Sequence, residues 1–513
     1  MSWGWCWSEA TATTKAGNSA LSQWLWNRTF LILSPTANVV LPTKYPVTNN
    51  SKSSSGTVRV IGGMAGFAIV AGSMLGIGIF LSPPVVASNT SSVAAFFGMW
   101  LLGGLVSLAG AVACAELGTM MPRAGGDYVF QYEAYGPSIA FASGWVLFAA
   151  IFCGSIAAMA VALCTYQVPV LLGVDLSTDL LVLPYGMTIT GARALALALV
   201  PALTLLNLRG TQPSARTQTV LTVAPIICFV AMSLYAITLY APPLDQSALQ
   251  GSAAPSDSDW TLHGLVTAYM AVYFAYSGWI NIIYVAGEVS EPQRNIPRAL
   301  IGGTIAVTLL YLLLCTGFVQ VLGFAGLSTA GEAGTATAGL LAGDAGRIAI
   351  TLVIATALLA SINATVLGGA RVAYAMALRG AMWPKLATVG EEHHVPNSAL
   401  WMQAAISCLL ILSGRFDQLL SMVSLAMVVT GSLTVGAVFV LRRKLPAADR
   451  PYLATGYPWL PGFYIAASLV VIAVMLREAI SNEPSAWYPL LGLIMLVLMY
   501  ALHRFGLANR TSV

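Results

Sequence analysis

The sequence predicts an all-α membrane protein with twelve transmembrane helices, and two observations carry that reading. Only 8% of the 513 residues are charged and 58% are hydrophobic, with a mean hydropathy of +0.79. A soluble domain needs about 25% charged residues. A soluble enzyme, a nucleic-acid binder and a disordered chain are therefore excluded by composition. Second, twelve stretches come close to the roughly 20 apolar residues that a bilayer-crossing helix requires. They are 61–87, 93–119, 139–166, 192–206, 217–240, 263–288, 299–321, 346–373, 398–414, 417–441, 462–478 and 486–503. None alternates apolar and polar residues as the strands of a membrane barrel do.

Residues 1–56 are rich in Ser, Thr, Asn and Trp and read as a poorly ordered cytoplasmic tail. Its apolar run Trp24–Leu33 is too short to span. The membrane domain is expected over 57–505, followed by a cytoplasmic tail at 506–513. Orientation follows from Lys and Arg, which accumulate in cytoplasmic segments. With the N-terminal tail inside, only Arg193, Arg347, Arg415 and Arg477 of the 23 basic residues fall outside. Both termini are thus expected in the cytoplasm. The seven cysteines form no CxxC or Cys/His ligand spacing and read as small packing residues.

Spans one to five cover 61–240 and spans six to ten cover 263–441, leaving two extra helices at about 462–503. Two blocks of five crossings must be inverted relative to one another. This five-plus-five inverted repeat is a transporter pattern. Corresponding spans of the two blocks are also interrupted. The first contains Gly72-Ser73-Met74-Leu75-Gly76-Ile77-Gly78-Ile79-Phe80. Each glycine costs a helix interior about 1 kcal/mol relative to alanine, so three invite unwinding, although Gly72 and Gly76 also fit close helix packing. The sixth contains Tyr273-Phe274-Ala275-Tyr276-Ser277-Gly278-Trp279-Ile280-Asn281. An unwound turn in a membrane is tolerated where it lines a cavity. The half-helix after a break offers N–H groups to a carboxylate, and the one before it offers carbonyls to an ammonium.

The first motif resembles the GSxxGxGIF string of the amino acid–polyamine–organocation transporters. Phe274–Trp279 followed by Gly287–Ala299 is similar to the L-type amino acid transporter branch, as are Ala115-Glu116-Leu117-Gly118 and Pro122–Tyr128. The resemblance covers about 58–505. It implies alternating access, with discontinuous first and sixth helices and a permease or exchanger activity on neutral L-amino acids. It places the substrate carboxylate at the N–H groups of Ile77 and Gly78. It places the amino group at carbonyls near Met74, Phe274 and Ser277, with Phe274 as an aromatic gate. The substrate-binding candidates are Ser73, Met74, Gly76, Ile77, Gly78, Phe274, Ala275, Ser277, Gly278 and Trp279. Ile77 departs from the small residue usual in relatives and is expected to narrow the pocket. Another small amine or organic cation is the alternative cargo, and a channel is the alternative class.

Many L-type relatives carry a lysine in the fifth helix in place of a sodium ion. Here Pro225 aligns with it, so Pro225 is a coupling candidate. The acids Glu116 and Glu288, near the inner ends of spans two and six, are the others, with Arg123 or Arg294 as expected partners. No acid lies in either break, so the site reads as neutral. His393-His394 beside Glu391 and Glu392 reads as a solvated loop rather than a metal site, and no metal or cofactor is expected. Eukaryotic relatives bond a heavy chain through a cysteine after the third span. The segment 167–190 has none, so a covalent heavy chain is not expected and a bacterial inner membrane fits best.

Overall fold

The computed structural model describes residues 58–182, 188–240, 262–390, 392–413, 416–479 and 488–507. The expectations for the N-terminal tail, for Glu391 and for the final residues 508–513 lie outside these. The expected interruption of the first span is present. Helix α1 (Gly63–Met74) stops, Leu75–Ile77 leave the helix, and α2 (Gly78–Ser88) resumes at a 43° bend. Next come α3 (Val93–Met120), the short α4 (Asp127–Tyr135) and α5 (Pro137–Leu172). Ser92 caps α3 by accepting the Ala95 N–H at 3.2 Å. Helix α5 widens to π-helix at Val146–Phe152 and Leu163–Gln167.

A two-stranded antiparallel hairpin, β1 (Asp179–Val182) with β2 (Thr188–Thr190), follows α5. It is a small departure from the all-helical expectation. The chain continues through α6 (Gly191–Leu208) and α7 (Thr211–Thr238) to the second interrupted span. There α8 (Leu262–Tyr276) ends, residues 277–280 form turns, and α9 (Asn281–Tyr284) is a single helical turn. Helices α10 (Pro292–Thr329), α11 (Ala333–Leu378), α12 (Asn397–Ser413), α13 (Phe416–Lys444), α14 (Trp459–Ala479) and α15 (Tyr488–Ala501) complete the chain.

Among the described residues, eight helices are long and apolar enough to cross a membrane, and nine if the bent α1–α2 pair is one span. Three shorter apolar helices are Gly264–Tyr276, Asn397–Leu412 and Leu490–Phe505. Burial sorts the spans into an inner and an outer set. The most apolar window of α5 is 89% buried and that of α11 78%, against 28% for α7 and α14. The outer faces expose Val220, Ile227, Leu309, Leu352 and Leu469, a surface that suits lipid and not water.

Candidate substrate site

The two interruptions interlock. A Cβ added to Gly78 would lie 2.6 Å from the Ala275 Cα, and one added to Gly278 would lie 2.7 Å from the Ser73 carbonyl oxygen. Each break thus presents a glycine to the backbone of the other. Gly278 also has φ +105°, a conformation that side-chain-bearing residues rarely adopt. Gly72 has a different task, packing α1 on α7: a Cβ there would meet Thr222 Oγ1 and Gln218 Nε2. Gly76 has room, its nearest neighbour being Ser361 Oγ at 3.4 Å.

A cavity opens between the two breaks. Ser73, Met74, Gly76, Ile77 and Gly78 line it from the first span, and Phe274, Ala275, Ser277 and Gly278 from the sixth. Trp279 does not line this cavity. It belongs to an adjoining compartment, where it packs edge-on against Tyr464 with ring centroids 6.2 Å apart. The remaining wall comes from α5 (Ile151, Phe152, Ser155, Met159), from α11 (Ser361, Thr365) and from Asn281, Tyr284 and Met427. Among the described residues, the lining contains no Asp, Glu, Lys, Arg or His. Part of the α5 wall lies in its first π-helical stretch, a feature that often re-aims side chains at functional sites.

Backbone polarity supplies what the side chains do not. Among the described residues, the N–H groups of Ile77 and Gly78 have no acceptor, since they precede the first closed turn of α2. They are free to meet an anion, and the start of α2 adds its positive dipole end. On the carbonyl side, the Met74 oxygen accepts from the Gly76 N–H at 2.7 Å and the Phe274 oxygen from the Ser277 N–H at 3.0 Å. The Ser277 hydroxyl also donates to the Phe274 carbonyl at 2.6 Å.

Two polar devices at the breaks were not anticipated. Tyr311 of α10 lies within hydrogen-bonding distance of the Met74 carbonyl at 2.5 Å and the Ala275 carbonyl at 2.9 Å, bridging the interrupted spans. It sits in an apolar run with nothing nearby in sequence to single it out. The second is a buried chain. Asn207 donates to Asn363 at 2.9 Å, Asn363 donates to Gln218 at 2.9 Å, and Gln218 and Thr222 both donate to the Ala68 carbonyl of α1. Pro225, one turn further along α7, is buried and has no polar side-chain atom with which to join that chain.

Glu116 and Glu288 have other partners than expected. Glu116 receives two hydrogen bonds from Arg442, at 2.9 and 2.6 Å, pairs with Arg450 at 3.3 Å and accepts the Ala454 N–H. Glu288 receives Arg371 on both oxygens, at 2.9 and 3.0 Å, with both side chains 1% exposed. Arg123 and Arg294 do not reach them; Arg294 pairs with Glu291 at 3.9 Å. Sequence distance misled here, because partners 83 and 326 residues away meet only in the fold. Neither acid lines the cavity.

Comparison with known proteins agrees with this architecture. The serine/threonine exchanger SteT of Bacillus subtilis strain 168 is 29% identical over 454 residues, which cover 86% of this chain and 96% of the exchanger. The b(0,+)-type amino acid transporter 1 of Mus musculus is 25% identical over 462 residues, covering 88% and 90%. The large neutral amino acids transporter small subunit 2 of Oryctolagus cuniculus is 24% identical over 394 residues, covering 77% and 71%. The profile of the amino acid permease family matches residues 61–500. With that match across nearly the whole membrane domain, the chain belongs to the amino acid permease family, within the amino acid–polyamine–organocation superfamily that its motifs resemble.

Proposed function

We propose that the chain is a secondary transporter of neutral L-amino acids that works by alternating access, as a permease or exchanger. The observation that carries this reading is the uncharged cavity between two interlocked breaks, with the N–H groups of Ile77 and Gly78 left without acceptors. Those groups suit a substrate carboxylate, and the Met74 and Phe274 carbonyls, at the ends of the half-helices before the breaks, supply partial negative charge for its ammonium. A cationic side chain or polyamine would need a carboxylate in the lining, which has none. The serine/threonine exchanger among the relatives supports a small neutral cargo. Ile77 at the break supports the same size preference.

In this reading the bent α1–α2 pair, the eight long helices and the three shorter apolar ones make twelve crossings. Blocks 61–240 and 263–441 are inverted repeats, each broken in its first span. The Lys and Arg distribution supports both termini in the cytoplasm, and the absence of cysteine from 167–190 supports a bacterial inner membrane without a covalently bonded heavy chain. Pro225 leaves the fifth-helix coupling position without a fixed charge.

Counterflow in proteoliposomes tests the reading. Vesicles preloaded with unlabelled serine are expected to accumulate labelled serine transiently, and unlabelled alanine or threonine should compete. Flux without counterflow would mark a channel. Competition by amines lacking a carboxylate would mark an organic-cation carrier.

A further inference from the structure

Among the described residues, one buried acid takes no part in an ion pair. Asp127 opens α4, at the end of the Pro122–Tyr128 string, in the connection between α3 and α5. It is 3% exposed. Its Oδ2 accepts the Tyr284 hydroxyl at 2.8 Å, whereas its Oδ1 is buried with no hydrogen-bond partner. The carboxyl borders the compartment beside the cavity, and Tyr284 lines both spaces. Tyr284 is the last residue of α9, and its carbonyl accepts the Gly125 N–H at 3.0 Å. A side chain and a backbone bond thus latch the inner half of the interrupted sixth span to the start of α4.

The groups around Asp127 offer no positive charge. Helix α9 presents Tyr284, α3 presents Cys114, α8 presents Tyr273 and α14 presents Tyr464. Helix α13 presents Thr430 and Thr434. The Thr434 hydroxyl donates to the Thr430 carbonyl and accepts from Gln131, so its hydrogen is committed. Among the described residues, no arginine bonds to the Asp127 carboxylate. Arg442 and Arg450 hold Glu116, and Arg379 pairs with Glu133 at 2.9 Å while lying over the Tyr132 ring. An ionised Asp127 would be a buried charge with one hydrogen bond, a costly arrangement.

We infer that Asp127 is a proton-binding site coupled to the α4–α9 latch: Oδ1 carries a proton while the latch is closed and releases it to water when α9 swings away. This rests on the transport reading above and adds its coupling. In the closed state burial pushes the Asp127 carboxyl from about 3.8 to about 7, against a smaller opposing effect of the Tyr284 hydroxyl. Hydration on opening returns it toward the ordinary carboxylate range. The sign follows. Below about pH 4 the carboxyl is protonated in both states, and between about pH 4 and 7 closing takes up one proton. The closed state loses ground as pH rises through that window, and above it Asp127 is charged in both states. The proton goes to the side onto which α9 opens. Glu116 and Glu288, each satisfied by arginine, are positioned as structural pairs instead.

Two measurements test this. Serine exchange in proteoliposomes with equal internal and external pH is expected to vary between about pH 4 and 7 in the wild type and to lose that variation in Asp127→Asn. Infrared titration of substrate-free purified protein is expected to show a protonated-carboxyl band that disappears near neutrality and is missing from Asp127→Asn. Tyr284→Phe removes the hydrogen bond to the ionised form and should move that midpoint up by about one unit, roughly tenfold in proton affinity. A band or pH profile that persists unchanged in Asp127→Asn overturns the proposal, as does a midpoint unmoved by Tyr284→Phe. Absence of exchange in the wild type would instead defeat the transport reading, while the infrared titration would still decide whether Asp127 holds a proton.

Discussion

The three glycines of the first break look alike in sequence and differ in task. Gly78 sits where any Cβ would press on the Ala275 backbone, whereas Gly76 faces only the Ser361 hydroxyl at 3.4 Å. Overfilling a packed contact typically costs about 1–3 kcal/mol. Gly78→Ala should lose stability by about that amount, and Gly78→Val should fail to fold normally, so it cannot serve as a clean test of carboxylate binding. Gly76→Ala should melt within about 0.5 kcal/mol of the wild type. Thermal unfolding in detergent separates the two, and equal melting of both alanine variants would show that the breaks do not interlock. Ile77 poses a question of size. Ile77 lines the cavity and is buried, 1% exposed. If its side chain limits the pocket, alanine should compete for serine exchange better than leucine. Ile77→Ser should then improve leucine competition roughly tenfold, the scale of one relieved steric contact. An unchanged alanine-to-leucine ratio would place the side chain away from the substrate.

At the scale of elements, the interrupted spans are held by a third helix. Tyr311 of α10 touches the Met74 and Ala275 carbonyls at once, and its ring packs on Tyr276 with centroids 5.0 Å apart. Tyr311→Phe keeps the ring and removes its hydroxyl bridge, leaving the buried Ala275 carbonyl unsatisfied. The expected loss is about 1–3 kcal/mol of stability. Serine exchange should fall as well, because the breaks lose their mutual alignment. A variant with wild-type melting and exchange would show the bridge to be incidental. The elements themselves were largely legible, because a long apolar run has one economical structure in lipid. Both breaks were legible too, since Gly76, Gly78 and Gly278 cannot be read as ordinary helix formers. What was not legible depends on partners remote in sequence. Tyr311 lies in an unremarked apolar run, and the Asn207–Asn363–Gln218 chain assembles from three helices. The π-helical turns of α5 lack any local glycine or proline signal over Val146–Phe152, and the hairpin Asp179–Thr190 carries no periodic apolar pattern.

For the molecule as a whole, the ends of the interrupted spans nearest Val60 and Glu288 behave as one tied assembly. The chain entering α1 pairs with the chain leaving α9: Val60 and Ile61 N–H groups both donate to the Glu288 carbonyl at 2.9 Å, and the Ser290 N–H donates to Ile61. The Glu288 carboxylate in turn grips Arg371 of α11, which also donates to Thr211 of α7 and to the Leu367 carbonyl. One buried ion pair therefore joins the first and sixth spans to the inner helix α11 and to α7. Removing one member of such a pair strands a charge and typically costs about 3–5 kcal/mol, while replacing both by apolar residues is often close to neutral. Arg371→Met alone should destabilise the protein by about that amount, and Glu288→Gln should cost a similar amount because it strands the buried Arg371 cation. The double variant Arg371→Met with Glu288→Met should recover most of the lost stability. Its recovery in melting need not extend to transport. If the pair also keeps the two broken spans moving together, the double variant should fold like the wild type and still exchange serine more slowly. Full recovery of both properties would make the pair a device of folding alone. A double variant no more stable than Arg371→Met would show that the stranded charge is not the source of the loss.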